Sequence, residues 1–284
     1  MKIKNFFDKD TATFTYVVSD PKTNSCAVID SVLNYDMYSG KTFHSSADRI
    51  ISYIQENNLN LEWILETHIH ADHLTAASYL KEKIGGKIGI STSVKEVLKF
   101  WIPLFDSAED TAFDGSQFDH LFQDNETFKI GSIDVKVILT PGHTPACLTY
   151  LIQDAAFVGD TIFMPYVGTA RTDFPGGSSK TLFHSIQKIL SLPETTRIFV
   201  GHDYPLQDAK ENHFTTVAEQ KEKNIMINQK VGESEYVAAR DAKDKGKAVP
   251  KLLFPSLQIN LRAGNLGKIY DNGAQFIKIP LNRL

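Results

Sequence analysis

Histidine and aspartate are concentrated in one short segment of the sequence, THIHADH at residues 67–73. His68, His70 and His73 offer imidazole nitrogens, and Asp72 offers a carboxylate. These groups are common protein ligands of zinc, iron and manganese. A single histidine in a loop is usually an ordinary polar residue. Four ligand-type groups within six positions instead predict a metal site.

Three more ligand-type residues follow apolar segments that are typical of strands. His143 comes after VKVILTPG, Asp160 after AAFVG and His202 after TRIFVG. Active-site residues of layered α/β proteins commonly lie just beyond strand ends. Together with the first segment, these residues supply five histidines and two aspartates for one metal site.

The first segment also predicts its own local structure. LEWILET reads as a buried strand, so His68 and His70 leave it in extended backbone, where residues two apart point the same way. Asp72 and His73 are expected to begin a helix, DHLTAASYLKEK, where a carboxylate suits the helix dipole. The pattern is not H-E-x-x-H, so it does not match the helix-borne site of zinc proteases.

The rest of the chain alternates strand-like and helix-like segments. FTYVVSD, SCAVID and LTYLI are rich in β-branched and aromatic residues, whereas ADRIISYIQENN and SSKTLFHSIQKILSL carry apolar residues at helical spacing. The mixture predicts an α/β (α+β) layered domain. We expect a catalytic domain over 1–225, with 226–284 forming a helix and a tail that pack on the core.

Composition narrows the class of protein. The 284 residues are 42% hydrophobic, which suffices for a full core, and the net charge of −4 gives no basic surface for nucleic acid. No long apolar segment or export signal is visible, so we expect no membrane association and a cytoplasmic location. Cys26 and Cys147 are expected to be buried thiols. The lysines at 243, 245, 247 and 251 are expected to form a solvated face.

The motifs THIHADH, PGHTP, GD at 159–160 and GHDY resemble, in this order, those of the metallo-β-lactamase superfamily. The resemblance implies a four-layer αββα sandwich of two mixed sheets with metals at one edge. It assigns His68, His70 and His143 to one metal position and Asp72, His73 and His202 to a second, with Asp160 between them.

Other segments resemble one branch of that superfamily, the persulfide (sulfur) dioxygenases, which are related to glyoxalase II. They are ARTDFPGGSSKTLFHSI, GHDYP, DGSQFDHLF, PSLQINLRAGNLG and FIKIPLN. The resemblance implies one Fe(II) per subunit, held by His68, His143 and Asp160, although such sites also accept zinc. The implied reaction converts glutathione persulfide, O2 and water to glutathione and sulfite, in sulfide and persulfide detoxification. It is compatible with a monomer or a homodimer.

The remaining ligand-type residues have two interpretations. His70, Asp72, His73 and His202 either orient the iron ligands and tune the metal, or hold a second metal ion.

Three residues are our candidates for substrate binding. Arg171 and Arg262 could bind the carboxylates of glutathione, because a guanidinium pairs with a carboxylate through two hydrogen bonds. Tyr204 could donate a hydrogen bond near the metal. Each also has a structural interpretation: Arg171 could pair with Asp173, Arg262 could brace the tail, and Tyr204 could be a packing residue.

Two alternatives to a dioxygenase stay open at this point. One is a hydrolase similar to glyoxalase II, which would cleave glutathione thioesters at a binuclear site without oxygen. Its helical substrate-binding domain is not recognisable in the tail of this chain. The other is a structural or sensory metal site without turnover. Complete ligand sets with open positions disfavour it, since structural zinc sites are closed and usually rich in cysteine.

Overall fold

The computed structural model describes residues 1–204 and 210–283. Pro205, the last residue of the GHDYP motif, lies outside them. The described residues form two six-stranded sheets, a small three-stranded sheet and seven helices. This confirms the predicted α/β class and mixed-sheet sandwich. No helix among the described residues is long and apolar enough to cross a bilayer.

The strands of the first sheet, in spatial order, are Lys2–Asp8 (β1), Thr13–Ser19 (β2), Ser25–Ile29 (β3), Asn60–Leu65 (β6), Lys87–Ser91 (β8) and His120–Phe122 (β9). Those of the second sheet are Thr127–Ile130 (β10), Ile133–Leu139 (β11), Leu148–Ile152 (β12), Ala155–Phe157 (β13), Arg197–Phe199 (β14) and Phe214–Thr216 (β15). The small sheet contains Val32–Asp36 (β4), Lys41–Phe43 (β5) and Leu74–Thr75 (β7).

The seven helices are Ser45–Glu56 (α1), Ala77–Ile84 (α2), Val94–Phe105 (α3), Ser179–Leu190 (α4), Val217–Lys223 (α5), Glu233–Asp244 (α6) and Leu253–Asn260 (α7). Apolar residues of α1, α2, α3 and α7 pack in one core with the outer face of the first sheet. Those of α4, α5 and α6 pack in the core that includes the second sheet. The order of layers is therefore helices, sheet, sheet, helices.

Strand β2 shows why the first sheet is buried on both faces. Phe14, Tyr16 and Val18 point into the core between the sheets, whereas Val17 packs under the helices on the other side. Successive side chains of a strand alternate between faces, and here both faces are apolar. The same alternation continues in β3. The first sheet is therefore packed on both faces, and polar residues lie at the ends of its strands.

The C-terminal segment packs on this body. Tyr236 of α6 is fully buried in the core of the second sheet, and Leu253 and Leu257 of α7 are buried with the helices of the first sheet. The domain boundary expected at 225 stays a prediction.

Candidate metal centre

The structure gathers all seven ligand-type residues at one edge of the sandwich, in two groups. Within each group, one donor atom from every residue lies within 4.8 Å of the others. The first group contains His68, His143 and Asp160. The second contains His70, Asp72, His73 and His202, so His70 lies here and not with His68 and His143, where the resemblance had placed it.

Asp160 lies between the two groups. One carboxylate oxygen is 3.8 Å from His143 Nε2 of the first group. The other is 3.3 Å from His202 Nε2 of the second group, and an oxygen of Asp72 lies at the same distance from that nitrogen. A carboxylate that presents one oxygen to each side can serve two neighbouring metal ions.

Three of the histidines have Nδ1 beside a main-chain carbonyl oxygen, and for His73 this is the oxygen of Leu74 at 3.3 Å. His143 Nδ1 lies 2.7 Å from the carbonyl oxygen of Arg171, and His202 Nδ1 lies 3.2 Å from that of Ala12. A carbonyl oxygen only accepts, so each Nδ1 carries the proton that it donates. In the neutral imidazole each Nε2 then has a lone pair directed at the site, which is the form that binds a metal. Burial opposes a charge on His202, but the carboxylates of Asp160 and Asp72 raise its pKa, so a metal ion would have to displace a proton there.

A buried carboxylate, Asp30 at the end of β3, orients two more. The hydroxyl group of Thr67 donates to Asp30 at 2.8 Å, so its lone pairs are free to accept from His68 Nδ1 at 3.1 Å. His70 Nε2 donates to Asp30 directly at 3.1 Å, and a carboxylate oxygen of Glu66 lies 3.4 Å from the same nitrogen. His68 Nε2 and His70 Nδ1 consequently face the site.

Unpaired buried atoms test whether this cluster fits a metal. Among the described residues, five buried donor atoms of the two groups have no hydrogen-bond partner: His68 Nε2, His70 Nδ1, His73 Nε2, Asp72 Oδ2 and Asp160 Oδ1. Each such atom costs about 1–3 kcal/mol unless something binds it, and native proteins contain few of them. Five that lie in these two groups fit a site for metal ions.

The protonation states agree with this interpretation. Burial and the neighbouring histidines lower the pKa of His73 to about 4 and that of His68 well below its usual value. Both imidazoles are therefore neutral at pH 7. Burial also opposes a charge on His70, but the carboxylates of Asp30 and Glu66 outweigh it and raise its pKa. Without metal, His70 therefore carries an additional proton, which metal binding would displace.

A family profile described as metallo-β-lactamase superfamily matches residues 9–202. This range is more than half of the chain. The chain belongs to the metallo-β-lactamase superfamily. The candidate ligands of this chain are nitrogen and oxygen atoms without a thiolate. Such a set can bind several metals, including zinc, iron and manganese.

Three proteins show where the chain stands among its relatives in the superfamily. Glyoxylase B2 of Dictyostelium discoideum is 50% identical over 285 residues, which cover 100% of this chain and 98% of that protein. The human mitochondrial persulfide dioxygenase ETHE1 is 30% identical over 205 residues, covering 71% of this chain and 68% of that protein. The crystal structure of ETHE1 from Myxococcus xanthus matches with a TM-score of 0.76 and 26% identity, covering 93% of this chain and 100% of that one.

The local structure corrects one expectation about the superfamily motif. Asp72 and His73 do not begin a helix, because Leu74–Thr75 pairs with β4 and α2 begins only at Ala77. The pairing places the ligand segment in an irregular loop.

Gly159 lies where the two ligand loops come close together. Its φ is +48°, and a Cβ there would lie 2.2 Å from the Thr67 hydroxyl oxygen. A glycine before Asp160 thus lets the two ligand loops approach.

Asn260, at the end of α7, fixes the ligand loop from the far end of the chain. Its side-chain NH2 group donates to the carbonyl oxygens of His70 and His73, both at 2.8 Å, and its own oxygen accepts from the N–H of Thr75 at 2.8 Å. Asn260 is buried. The sequence analysis did not identify it, because its partners lie nearly 190 residues away.

A cavity of about 290 Å³ opens onto the metal centre. Asp72, His143 and Asp160 form its inner end, and Phe163 and Phe174 contribute apolar wall. The polar residues that complete its lining are Thr169, Arg171, Tyr204, Arg240, Lys243 and Lys247. The cavity can thus take a substrate whose reactive group points inward and whose remainder lies between cationic side chains.

The predicted substrate-binding residues have different surroundings. Arg171 lines the cavity, but its guanidinium is paired with Asp173 at 2.6 and 2.7 Å. Arg262 does not line it: the residue is buried, and it is bound to Asp110 and to main-chain carbonyl groups of the tail. This geometry corresponds to the bracing role considered above. Tyr204 does line the cavity.

The four lysines at 243, 245, 247 and 251 are exposed, as predicted, but Lys243 and Lys247 also line the metal-site cavity. Lys247 is paired with Asp244 at 3.1 Å. Within the described ranges, Lys243 has no carboxylate within ion-pair distance, and its ammonium group is 3.7 Å from the sulfur of Met226. Burial and the cations of Arg240 and Lys247 lower its pKa. An anionic ligand would relieve this accumulation of positive charge.

Proposed function

We propose that the protein is a metal-dependent hydrolase with a binuclear site that cleaves thioesters of glutathione. The position of Asp160 carries the proposal, since its two oxygens face the two donor groups. The 50% identity with a protein named Glyoxylase B2 over the full length of this chain supports it.

The candidate ligands of this chain would bind the two metal ions in two sets. His68 and His143 would hold one metal ion, His70, Asp72, His73 and His202 would hold the other, and Asp160 could serve both. Such a pair supplies a nucleophile from water at neutral pH and polarises the thioester carbonyl group. The carbon–sulfur bond breaks, and water provides the oxygen of the acid and the proton of the released thiol.

The cationic side of the cavity selects the substrate. Glutathione carries two carboxylates, and Lys243 stands at the cavity without a counter-charge among the described residues. Tyr204 adds a hydroxyl group. The thiol carrier would therefore be bound through its carboxylates, with its sulfur directed at Asp160 and His143.

A second candidate function is the persulfide dioxygenase reaction. It is supported by 30% identity with human ETHE1 and by the likeness to ETHE1 from Myxococcus xanthus over 93% of this chain. His68, His143 and Asp160 form the set of two histidines and one carboxylate that is typical of non-haem iron oxygenases. Glutathione persulfide carries the same carboxylates, so the cationic side of the cavity suits both substrates.

One experiment separates these functions. Apo-protein is loaded anaerobically with Fe(II), Zn(II) or Mn(II), and each sample receives an acyl-glutathione thioester without oxygen or glutathione persulfide with oxygen. We expect thiol release without oxygen and two metal ions per chain. Oxygen uptake with sulfite formation in the iron sample alone, with no thiol release from the thioester, would replace the hydrolase by the dioxygenase.

Matched variants make the assay interpretable. His143→Ala should lose metal and turnover together, whereas Asp134→Asn, at an exposed carboxylate paired with Lys129, should change neither. Stable metal binding with no reaction of either substrate would return the protein to the structural or sensory alternative.

A further inference from the structure

We infer that the buried ion pair between Arg240 and Asp244 of α6 positions the metal ligand His143 through the peptide group that joins Arg171 to Thr172. The inference rests on the proposed metal site, but not on which reaction that site performs.

The pair is almost entirely withdrawn from solvent. Arg240 is 1% exposed and Asp244 is 4% exposed. Arg240 Nε donates to Asp244 at 2.9 Å, and a second guanidinium nitrogen donates to the other carboxylate oxygen. Buried ion pairs seldom stabilise a protein more than apolar residues of the same volume would. The main role of this pair is therefore to fix the segment that it contacts.

That segment is 169–172, which forms part of the cavity wall. Asp244 accepts from the N–H of Thr172 at 2.8 Å and from its hydroxyl group at 3.3 Å. Arg240 donates to the carbonyl oxygen of Thr169 at 3.0 Å. Both ends of the segment are thereby attached to one helix.

The Thr172 N–H and the Arg171 carbonyl belong to the same planar peptide group. Asp244 holds the N–H of that group, and the carbonyl oxygen accepts from His143 Nδ1 at 2.7 Å. Rotation of the peptide plane would break both bonds. A carboxylate bound to the N–H also polarises the peptide, so its carbonyl becomes a better acceptor for the imidazole. Asp244 thus acts on His143 indirectly, through the single peptide group that lies between them.

The test measures metal binding by the full-length apo-protein, with Co(II) as the probe and its visible spectrum as the signal. Asp244→Asn keeps the size of the side chain and removes its charge. We expect it to weaken binding at the position that contains His143 by about tenfold, the lower end of what is lost when the partner of a metal-bound histidine is removed. Asp241→Asn, an exposed carboxylate on the same helix, is the matched control and should bind cobalt like the wild type.

Two further measurements guard against a folding defect. Arg240→Met, which releases Thr169 and Asp244 together, should weaken the same position, and it decides by the same criterion if Asp244→Asn does not fold. In the wild type, 15N spectra should show His143 with its proton on Nδ1. Unchanged cobalt affinity in a folded variant, or a proton on Nε2, would overturn the inference. A wild type that binds no cobalt would instead overturn the proposed metal site.

Discussion

His70 and His143 occupy neighbouring positions at the metal centre, but the carboxylates behind them come from different parts of the chain. Asp30 and Glu66 contact His70 directly, and both precede it within 40 residues. Behind His143 lies a peptide group, and the carboxylate of Asp244 beyond it comes from α6, in the C-terminal segment. One side of the site is therefore supported locally and the other by a distant segment. Removal of the distant support should therefore affect only the position that contains His143, whereas removal of Asp30 should affect both positions.

The largest effect is expected where the two sides meet. Asp160→Asn removes the charge that the two donor groups share, so both metal positions should weaken and turnover should fall about a thousandfold, equivalent to several kcal/mol of transition-state stabilisation. Metal content and kcat/KM measure this. Asp134→Asn, with its exposed carboxylate, is the control. Loss of only one metal would show that Asp160 is not shared.

Asp30→Asn tests the local support. Asp30 backs His70 directly and His68 through Thr67, so both metal positions should lose affinity, by roughly ten- to a hundredfold. Asp244→Asn should weaken only the position that contains His143. Two-site cobalt titrations of the pair of variants measure the difference. Equal effects on both positions in both variants would remove the distinction between the two supports.

Lys243→Ala probes substrate binding on the side supported by α6. Its ammonium group lies at the cavity, so its loss should raise KM for a glutathione substrate roughly three- to tenfold and leave kcat nearly unchanged, as for an exposed or half-exposed charge. Steady-state kinetics at low and high salt measure the effect. Lys245→Ala, on an exposed residue that does not line the cavity, provides the matched comparison. A fall in kcat without a change in KM would contradict this role.

The smallest effect concerns pH and stability. Burial disfavours a charge on Asp244, but the Thr172 N–H and Arg240 together lower its pKa below the usual value. A lowered pKa means that the charged form stabilises the fold above the unfolded pKa of about 3.9, and that this contribution disappears as the pH falls through the lower, folded value. Urea unfolding of apo-protein should show a wild-type advantage over Asp244→Asn at pH 7 that shrinks below about pH 4. An advantage independent of pH would contradict the assignment.

The ligand residues were predictable because their signal is local. THIHADH is contiguous, and His143, Asp160 and His202 each follow an apolar strand, so strand ends alone brought them together. The α/β fold and the superfamily, which are both confirmed, were predictable for the same reason. Asp30 follows the strand β3 just as Asp160 follows β13, and the same rule could have identified it.

The remaining contacts depend on pairings that a linear sequence does not display. β7 pairs with β4 about 40 residues earlier, which is why the helix expected at Asp72 begins at Ala77. Lys243 sits in a run of lysines that is typical of a solvated surface, and only the packing of α6 beside segment 169–172 brings it to the cavity. Arg262 has the residue type for carboxylate binding, but its donors are used by Asp110 and the tail.

The position of Asn260 in the sequence determines when its contacts with the ligand loop can form during protein synthesis. All seven metal-ligand residues leave the ribosome before Asn260, whose amide holds the His70–His73 loop. Chains are made at about 5–20 residues per second, and N-terminal parts fold first. The ligand loop therefore has to wait for the synthesis of α7 before Asn260 can bind its carbonyl groups.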